Sequence, residues 1–160
     1  MLNLNALSLF ASAGIAETYF ERHGIHVRVA AELLEERVKI YRQMYPEVNM
    51  FQGDLTIEDN YNKVIEAARE AGCNFLLATP PCQGMSKAGL KKKTDPRNSL
   101  ILVVLKAIKD IRPQFVIIEN VPEIISAHIN YEGDIVNVND LLVRELGEEY
   151  NFNNRKIVNT

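Results

Sequence analysis

Short runs of apolar residues alternate along the chain with longer stretches in which apolar residues recur every three or four positions. The short runs predict strands at residues 6–10, 27–32, 49–52, 75–79 and 115–119. The periodic stretches predict helices at residues 16–23, 35–45, 58–70 and around 100–108, which end near Gly24, Pro46, Gly72 and Pro113. Unbroken apolar strands that alternate with helices are typical of a parallel sheet covered on both faces. The pattern therefore predicts an α/β fold.

The C-terminal part of the chain adds two weaker predictions. Ile135, Val138, Leu142 and Leu146 recur at helical spacing and predict a further helix, and residues 152–158 predict a last short strand. The sequence contains no internal repeat, low-complexity segment or linker. We therefore expect residues 1–160 to form one domain.

The composition is that of an ordinary globular protein, with 47% hydrophobic and 24% charged residues in a chain of 160. No apolar run approaches the length of about 20 residues that spans a bilayer. The first six residues lack the basic start and the cleavage site of a signal peptide, so we expect a cytoplasmic protein. The net charge of −3 argues against a protein that coats nucleic acid through overall positive charge.

The two cysteines, Cys73 and Cys82, predict neither a disulfide nor a metal site. The predicted strand at residues 75–79 lies between them, and an extended chain that rises about 3.3 Å per residue separates their sulfurs by well over ~20 Å. A disulfide needs Cα atoms within about 7 Å. The three histidines show no metal-ligand spacing with the cysteines, so we predict that no metal is bound.

Small side chains follow the first predicted strand, in the segment Phe10-Ala11-Ser12-Ala13-Gly14-Ile15. Such residues let a cofactor approach the backbone at the carboxyl end of a strand, where ligands bind in open α/β sheets. The segment is not a full Gly-x-Gly-x-x-Gly loop, which a dinucleotide pyrophosphate requires. S-adenosylmethionine carries no phosphate, so this loop suits it better than it suits a dinucleotide.

Acidic residues follow the next two predicted strands. Glu32 lies eighteen residues after Gly14, about the distance at which an acid hydrogen-bonds ribose hydroxyls. A solvated strand end is an equal explanation for Glu32 taken alone. Asp54 follows the third strand, where it can meet an adenine edge. Because three such features follow three successive strands, together they indicate a nucleoside cofactor.

A candidate nucleophile follows the fourth predicted strand, in Thr79-Pro80-Pro81-Cys82. The two prolines fix the backbone that precedes Cys82, and the position at the ligand edge of the sheet favours a nucleophile over the inert thiol that most free cysteines are. The next strand ends at Glu119, which can face Cys82 across a cleft. Beyond Cys82 lies a basic stretch, which is either a solvated loop or a phosphate-binding loop and comprises Lys87, Lys91, Lys92, Lys93 and Arg97.

These motifs resemble those of the DNA (cytosine-5) methyltransferase family over residues 6–160. The Phe10–Ile15 segment resembles the family's Phe-Ala-Gly-x-Gly-Gly, and Pro81-Cys82-Gln83 matches its Pro-Cys-Gln. Glu119-Asn120-Val121 matches its Glu-Asn-Val, and Leu100 closes a segment, Arg97-Asn98-Ser99-Leu100, that lies where the family has a further cofactor contact.

The resemblance implies a Rossmann-like methyltransferase fold that binds S-adenosylmethionine. It implies that Cys82 attacks C6 of a cytosine rotated out of duplex DNA while Glu119 holds N3 and the exocyclic amine, so that C5 accepts the methyl group. The cofactor contacts it implies are Phe10, Ala11, Ser12, Ala13, Gly14, Ile15, Glu32, Leu33, Asp54, Leu55, Pro81 and Leu100. The DNA contacts it implies are Gln83, Ser86, Lys87, Lys91, Lys92, Lys93 and Arg97.

The chain also departs from the family. Ser12 and Ile15 replace family glycines, and Ser8 stands where an aspartate is common. The family's Gln-x-Arg-x-Arg segment, target-recognition domain and closing C-terminal helix are absent from the sequence. We therefore expect a sheet that is incomplete at its C-terminal side, and either a second chain that supplies these parts or a truncated chain.

Three other functions remain open at this point. A tRNA cytosine methyltransferase shares Pro-Pro-Cys-Gln and would act on RNA. A non-catalytic cofactor-binding subunit, or an inactive remnant, would not depend on Cys82. A nicotinamide-dependent dehydrogenase is disfavoured by the missing loop glycines. The resemblance favours a bacterial or phage enzyme of a restriction-modification system.

Overall fold

The structure is a computed structural model that describes residues 3–81 and 100–152. Five parallel strands form one sheet in the order β3-β2-β1-β4-β5. The strands are β1 (Leu4–Leu9), β2 (Ile25–Glu32), β3 (Asn49–Gln52), β4 (Phe75–Ala78) and β5 (Phe115–Ile118). The predicted α/β fold is confirmed. The strand order reverses at β1 and β4, which is where ligands bind in open parallel sheets.

Helices α1 (Glu35–Met44), α2 (Glu58–Glu70) and α3 (Leu100–Ile111) cover the two faces of the sheet. A further helix, α4 (Val138–Leu146), belongs to a separate unit of the chain. On one face, Ala30 of β2 packs with Val38 and Tyr41 of α1. The neighbouring residue, Ala31, faces the opposite side because side chains alternate along a strand, and there it lies near Val64 of α2.

Helix α3 lies beside α2 on that second face. The Tyr61 hydroxyl of α2 donates a hydrogen bond of 2.6 Å to Asp110 of α3, and Arg69 donates to the Asp110 carbonyl oxygen. Val104 and Ile108 of α3 are fully buried, as the apolar periodicity of that helix predicts. The apolar stripe of α3 therefore packs inside the fold, as the sequence predicts.

The described residues divide into two compact units. The first comprises the chain up to residue 80 together with residues 102–119, and it contains the whole five-stranded sheet. The second comprises residues 81–101 and the chain from residue 120 onward. It contains a two-stranded hairpin, β6 (His128–Tyr131) and β7 (Asp134–Asn137), followed by α4. The prediction of a single domain stays a prediction.

The predicted helix at residues 16–23 is wrong. Residues 16–20 form successive turns, and only Glu21–His23 forms a short 3₁₀ helix, which ends at Gly24 in the left-handed conformation. Tertiary contacts outweigh the helical pattern here, because the buried Glu17 side chain bonds to β1 and the Phe20 ring packs edge-on against Phe75. Thr18 adds a hydrogen bond to the Ile15 carbonyl oxygen that closes a tighter turn.

The C-terminal predictions need a second correction. Ile135 does not belong to the predicted helix but to β7, where it is exposed, and α4 begins only at Val138. Asn137 caps that helix, since its side chain accepts a hydrogen bond from the Asp140 backbone N–H. The strand predicted at residues 152–158 lies outside the described residues except for Phe152, which is not in a strand. Among residues 3–81 and 100–152, no helix is long and apolar enough to cross a membrane.

Candidate cofactor site and catalytic edge

The loop after β1, residues 10–14, adopts a backbone conformation that is unusual for its sequence. Phe10 has φ 60° and Ser12 has φ 51°, in the left-handed region that costs a non-glycine residue about 1–2 kcal/mol. Gly14, with φ 80°, is the only one of the three suited to that region. Two such non-glycine residues persist only where the surroundings hold them. The neighbouring strands provide the first of these anchors, because the Ala11 N–H donates a 3.0 Å hydrogen bond to the Ala31 carbonyl oxygen.

Glu32, at the end of β2, provides the second anchor. Its carboxylate is buried, with Oε2 accepting a 2.9 Å hydrogen bond from the Ser12 N–H and Oε1 accepting from the N–H groups of Leu33 and Leu34. The half-exposed Arg37 guanidinium lies 4.0 Å from Oε2. The predicted ribose contact stays a prediction, and a carboxylate with about four acceptor positions has room for it. What the structure adds is that Glu32 joins the loops after β1 and β2.

The loop after β3 presents Asp54 and Leu55. Asp54 Oδ1 accepts hydrogen bonds from the Thr56 N–H (2.8 Å) and the Thr56 hydroxyl (2.7 Å), which shapes the turn before α2. Leu55 is buried, whereas Leu33, across from it on the loop after β2, is 55% exposed. A small cavity of about 100 Å³ lies at this end of β2 and β3, lined by residues that include Ala31, Gly53 and Leu55. It is smaller than the roughly 300 Å³ of an ordinary ligand pocket, so it can enclose only part of a cofactor.

A pair of tyrosines from the end of α1 holds the far side of the β1 loop. The Tyr45 hydroxyl donates a 2.7 Å hydrogen bond to the Gly14 carbonyl oxygen. The Tyr41 and Tyr45 rings lie 4.9 Å apart, centroid to centroid. A Cβ atom on Gly14 would lie 2.3 Å from the Tyr45 ring and 3.0 Å from the Tyr41 ring, so glycine is required there for space as well as for backbone conformation.

A buried carboxyl group lies beneath the same loop. The Ser8 hydroxyl of β1 donates a 2.5 Å hydrogen bond to Glu17 Oε1, and both side chains are buried. Burial raises the pKa of Glu17, although the Ser8 hydrogen bond opposes this shift. Burial raises the pKa of the Tyr41 phenol, and the nearby Glu17 carboxyl and Tyr45 phenol raise it further. Within the described part of the chain, Glu17 Oε2 and the Tyr41 hydroxyl nevertheless have no partner in hydrogen-bonding geometry.

Sequence reasoning missed Glu17, Tyr41 and Tyr45. Glu17 falls inside the segment wrongly predicted as a helix, where an isolated glutamate suggests a solvated position. The two tyrosines are spaced four residues apart near the end of α1, which indicates only that they share one face of the helix. No local pattern reveals that this face meets the β1 loop.

The end of β4 is tied to the same loop. The Thr79 N–H donates a 3.1 Å hydrogen bond to the Leu9 carbonyl oxygen, and the Thr79 hydroxyl donates a 2.8 Å bond to the Phe10 carbonyl oxygen. Thr79 immediately precedes the two prolines that lead to Cys82. One side chain therefore connects the candidate cofactor loop to the strand that carries the candidate nucleophile.

Glu119 follows the adjacent strand, β5. Its backbone N–H donates a 2.9 Å hydrogen bond to the Ala78 carbonyl oxygen at the end of β4, and its side chain is exposed. Strands β4 and β5 are parallel neighbours, so Thr79 and Glu119 emerge side by side at the carboxyl edge of the sheet. The pairing of Cys82 with Glu119 stays a prediction, because Cys82 lies outside the described residues.

The remaining predicted site residues have varied outcomes. Leu100 is the first residue of α3, and Pro81 is exposed. The predicted DNA contacts all lie outside the described residues: Gln83, Ser86, Lys87, Lys91, Lys92, Lys93 and Arg97. In residues 3–81 and 100–152 there is no group of three or more side chains that could hold a metal ion.

The second cysteine, Cys73, has the properties of an inert thiol. Its side chain is buried, and burial raises its pKa to about 11, against a smaller opposing effect of Arg28. Such a thiol is almost fully protonated at neutral pH, and only the thiolate is a nucleophile. Cys73 therefore does not compete with Cys82 as a catalytic candidate.

Comparison with known proteins identifies relatives of the whole chain. The model of the C-5 cytosine-specific DNA methylases matches residues 4–156. The Type II methyltransferase M1.HgaI of Avibacterium volantium is 38% identical over 155 residues, which cover 94% of this chain and 43% of that protein. The Type II methyltransferase M1.HphI of Haemophilus parahaemolyticus is 31% identical over 123 residues, which cover 75% of this chain and 33% of that protein.

Solved structures share the fold. A prophage-encoded protein of E. coli superimposes with a TM-score of 0.70 at 21% identity, covering 92% of this chain and 39% of its own. A Spodoptera frugiperda DNMT2 variant superimposes with a TM-score of 0.62 at 18% identity, covering 91% and 41% respectively. The chain thus spans between one third and slightly more than two fifths of the length of these relatives and solved structures.

Proposed function

Because the chain belongs to the C-5 cytosine-specific DNA methylase family, we propose that it forms the cofactor-binding and nucleophile-bearing part of an enzyme that methylates C5 of cytosine in duplex DNA. The observation that supports this most directly is that β4, which lies at the switch point of the sheet, pairs in parallel with β5. These strands lead respectively into Pro81-Cys82-Gln83 and Glu119-Asn120-Val121, the two motifs that such a reaction needs.

The proposed cofactor is S-adenosylmethionine, which the family uses. The residues at the ends of the first three strands fit it, because Glu32 and Asp54 offer carboxylate acceptors to the hydroxyls and amine of a nucleoside. The loop at residues 10–14 lacks the glycines that a pyrophosphate requires, but S-adenosylmethionine contains no pyrophosphate. When bound, it supplies an electrophilic methyl group on its sulfonium.

In the proposed reaction the target cytosine leaves the base stack, because C5 cannot be reached within the duplex. The Cys82 thiolate adds to C6, and Glu119 binds N3 and the exocyclic amine so that negative charge develops on C5. C5 then forms a bond to the methyl group, the C5 proton is lost to a base, and the electrons of that C–H bond expel the thiolate. The products are 5-methylcytosine and S-adenosylhomocysteine.

The proposed enzyme includes a further segment, on this or another polypeptide. It carries the Gln-x-Arg-x-Arg motif, the target-recognition domain and the closing C-terminal helix. Among residues 3–81 and 100–152, β5 is the last strand on its side of the sheet, and its Phe115 and Ile117 side chains are 45% and 46% exposed, which supports this part of the proposal. Apolar side chains on an edge strand are a surface at which further strands add to a sheet.

A complementation assay tests the proposal. The chain is mixed with the part of the M1.HgaI methyltransferase that follows its matching region, and transfer of a labelled methyl group from S-adenosylmethionine to duplex DNA is measured. We expect label on cytosine C5 with the mixture and none with the chain alone. Replacement Cys82→Ala abolishes the transfer, whereas Cys73→Ala, matched in size and chemistry, retains it.

Two results overturn the proposal. Undiminished transfer by the Cys82→Ala variant excludes the covalent mechanism. Failure of the wild-type chain to bind S-adenosylmethionine, measured separately by isothermal titration calorimetry, excludes the cofactor assignment even if the mixture fails to assemble.

A further inference from the structure

The loop at residues 10–14 is held from behind by side chains that no part of the proposed reaction uses. Tyr45 donates its hydroxyl to the Gly14 carbonyl oxygen, and the Tyr41 ring packs against Tyr45 and against the space beside Gly14. Tyr41 lies in the last turn of α1, and Tyr45 is the residue that follows the helix. The loop therefore rests on a surface of two aromatic rings.

Glu17 extends this support to β1. Its carboxyl is 3% exposed and receives the Ser8 hydroxyl on one oxygen, while the other oxygen has no hydrogen-bond partner among the described residues. A buried acid with an incompletely satisfied oxygen lowers the stability of a domain, so such a group is retained where another role requires it. Here the carboxyl lies directly behind the strand end from which the loop departs.

The sequence of the loop explains why this support is needed. Ser12 and Phe10 occupy the left-handed region without being glycine, so the loop conformation requires external anchors. Glu17 places a carboxyl group beside Ser8 of β1 from a later point in the chain. The support thus acts next to a loop that holds two non-glycine residues at positive φ.

We infer that Glu17, Tyr41 and Tyr45 are positioning residues that hold the backbone of residues 10–14 in the conformation that binds the cofactor. The inference rests on the proposed function, because it takes this loop as the S-adenosylmethionine site. Each residue acts through the loop, Tyr45 on Gly14 and Glu17 on the end of β1.

The test pairs two substitutions that each remove a single hydrogen-bonded phenolic hydroxyl from the full chain. Tyr45→Phe removes the bond to Gly14, and Tyr61→Phe removes the 2.6 Å bond to Asp110 between α2 and α3. We expect Tyr45→Phe to raise the dissociation constant for S-adenosylmethionine about two- to tenfold, the effect of one hydrogen bond. Tyr61→Phe lowers the melting temperature and leaves the dissociation constant unchanged.

Glu17 is tested with a conservative pair of variants. Glu17→Gln retains an oxygen that accepts the Ser8 hydroxyl, whereas Glu17→Ala does not. We expect Glu17→Ala to weaken cofactor binding at least as much as Tyr45→Phe, and Glu17→Gln to restore most of it. If Glu17 contributes only to stability, both folded variants bind S-adenosylmethionine with the affinity of the wild type.

The outcomes separate this inference from the proposed function. Wild-type affinity in both Tyr45→Phe and Glu17→Ala overturns the inference and leaves the proposed cofactor intact. No binding of S-adenosylmethionine by the wild-type chain overturns the proposed function, and the inference with it. Equal loss of affinity in Tyr45→Phe and Tyr61→Phe also overturns the inference, because it reports general destabilisation.

Discussion

Replacing Gly14 by alanine places a methyl group where the structure has no space for one. The new Cβ lies 2.3 Å from a Tyr45 ring carbon, far inside the separation of about 3.5–4.0 Å at which carbon atoms attract. The residue also has φ 80°, which costs a non-glycine residue about 1–2 kcal/mol. The substitution therefore adds a steric cost to a conformational one.

The Tyr45 ring has little freedom to move away. Its hydroxyl is bonded to the Gly14 carbonyl oxygen, and its ring packs against Tyr41. Overpacking of this kind costs typically about 1–3 kcal/mol, and a ring that swings out loses a hydrogen bond of about 1 kcal/mol instead. Adding the conformational cost, we expect Gly14→Ala to lower the free energy of unfolding by about 2–5 kcal/mol.

The hairpin glycine, Gly133, provides the matched control. It has φ 94°, and a Cβ atom there meets nothing within 4 Å. Gly133→Ala therefore carries only the conformational cost of about 1–2 kcal/mol. The difference between the two variants isolates the contact with the tyrosines, and we expect it to be about 1–3 kcal/mol.

Urea unfolding of both variants measures this difference, provided that the slope of the free energy with denaturant is unchanged. Titration with S-adenosylmethionine is expected to show weaker binding for Gly14→Ala and unchanged binding for Gly133→Ala. If Gly14→Ala costs no more than Gly133→Ala, then the tyrosines do not confine the loop and the reasoning is refuted.

Two further predictions concern the buried acids of the site. Glu32→Gln replaces a carboxylate that accepts hydrogen bonds from three backbone N–H groups by an amide with only one oxygen, so at least one charge-assisted bond, worth about 1.5–3 kcal/mol, is lost. We therefore expect cofactor affinity, measured by calorimetry, to fall roughly tenfold or more. Unchanged affinity would show that Ser12 needs no anchor. Burial raises the pKa of Glu17, so the folded state binds the carboxyl proton more tightly than the unfolded state does. The stability that this proton binding provides is complete below the ordinary pKa of 4.5, and it is lost as the pH rises through the raised pKa of the folded state. Melting temperatures measured from pH 4.5 upward are expected to fall more steeply for the wild type than for Glu17→Gln, and parallel curves would contradict the assignment.

The apolar pattern alone predicts those elements whose ends are marked by nearby residues in the sequence. Strand β3 and helix α2 have the predicted bounds, because β3 is short and followed by Gly53, and α2 carries a clear stripe that ends before Gly72. The sequence predicts Glu32 and Asp54 at one edge of the sheet because the carboxyl ends of parallel strands meet there, and their role as cofactor contacts stays a prediction.

The features that sequence reasoning missed depend on contacts between distant residues. The turns at residues 16–20 follow from the bond between Glu17 and Ser8, which a helical pattern does not reveal. The β6–β7 hairpin turns at Glu132 and Gly133, both with positive φ. Glutamate is uncommon at the first of these positions, where asparagine or aspartate gives the usual signal. In each case a tertiary contact or an uncommon residue outweighed the local pattern.

The hydrogen bond from the Thr79 hydroxyl to the Phe10 carbonyl oxygen has a consequence for how the proposed enzyme binds its cofactor and its substrate. This bond couples the loop after β1 to the end of β4, so a ligand that restricts the conformational freedom of one segment also restricts that of the other. Thermodynamic linkage makes such an effect reciprocal. A cofactor that favours one arrangement of the β1 loop is then bound more tightly when the strand leading to Cys82 is already engaged by substrate, and the substrate gains affinity by the same factor. Cofactor and substrate would therefore bind cooperatively, and the complex with both ligands would be favoured over the complex with either ligand alone.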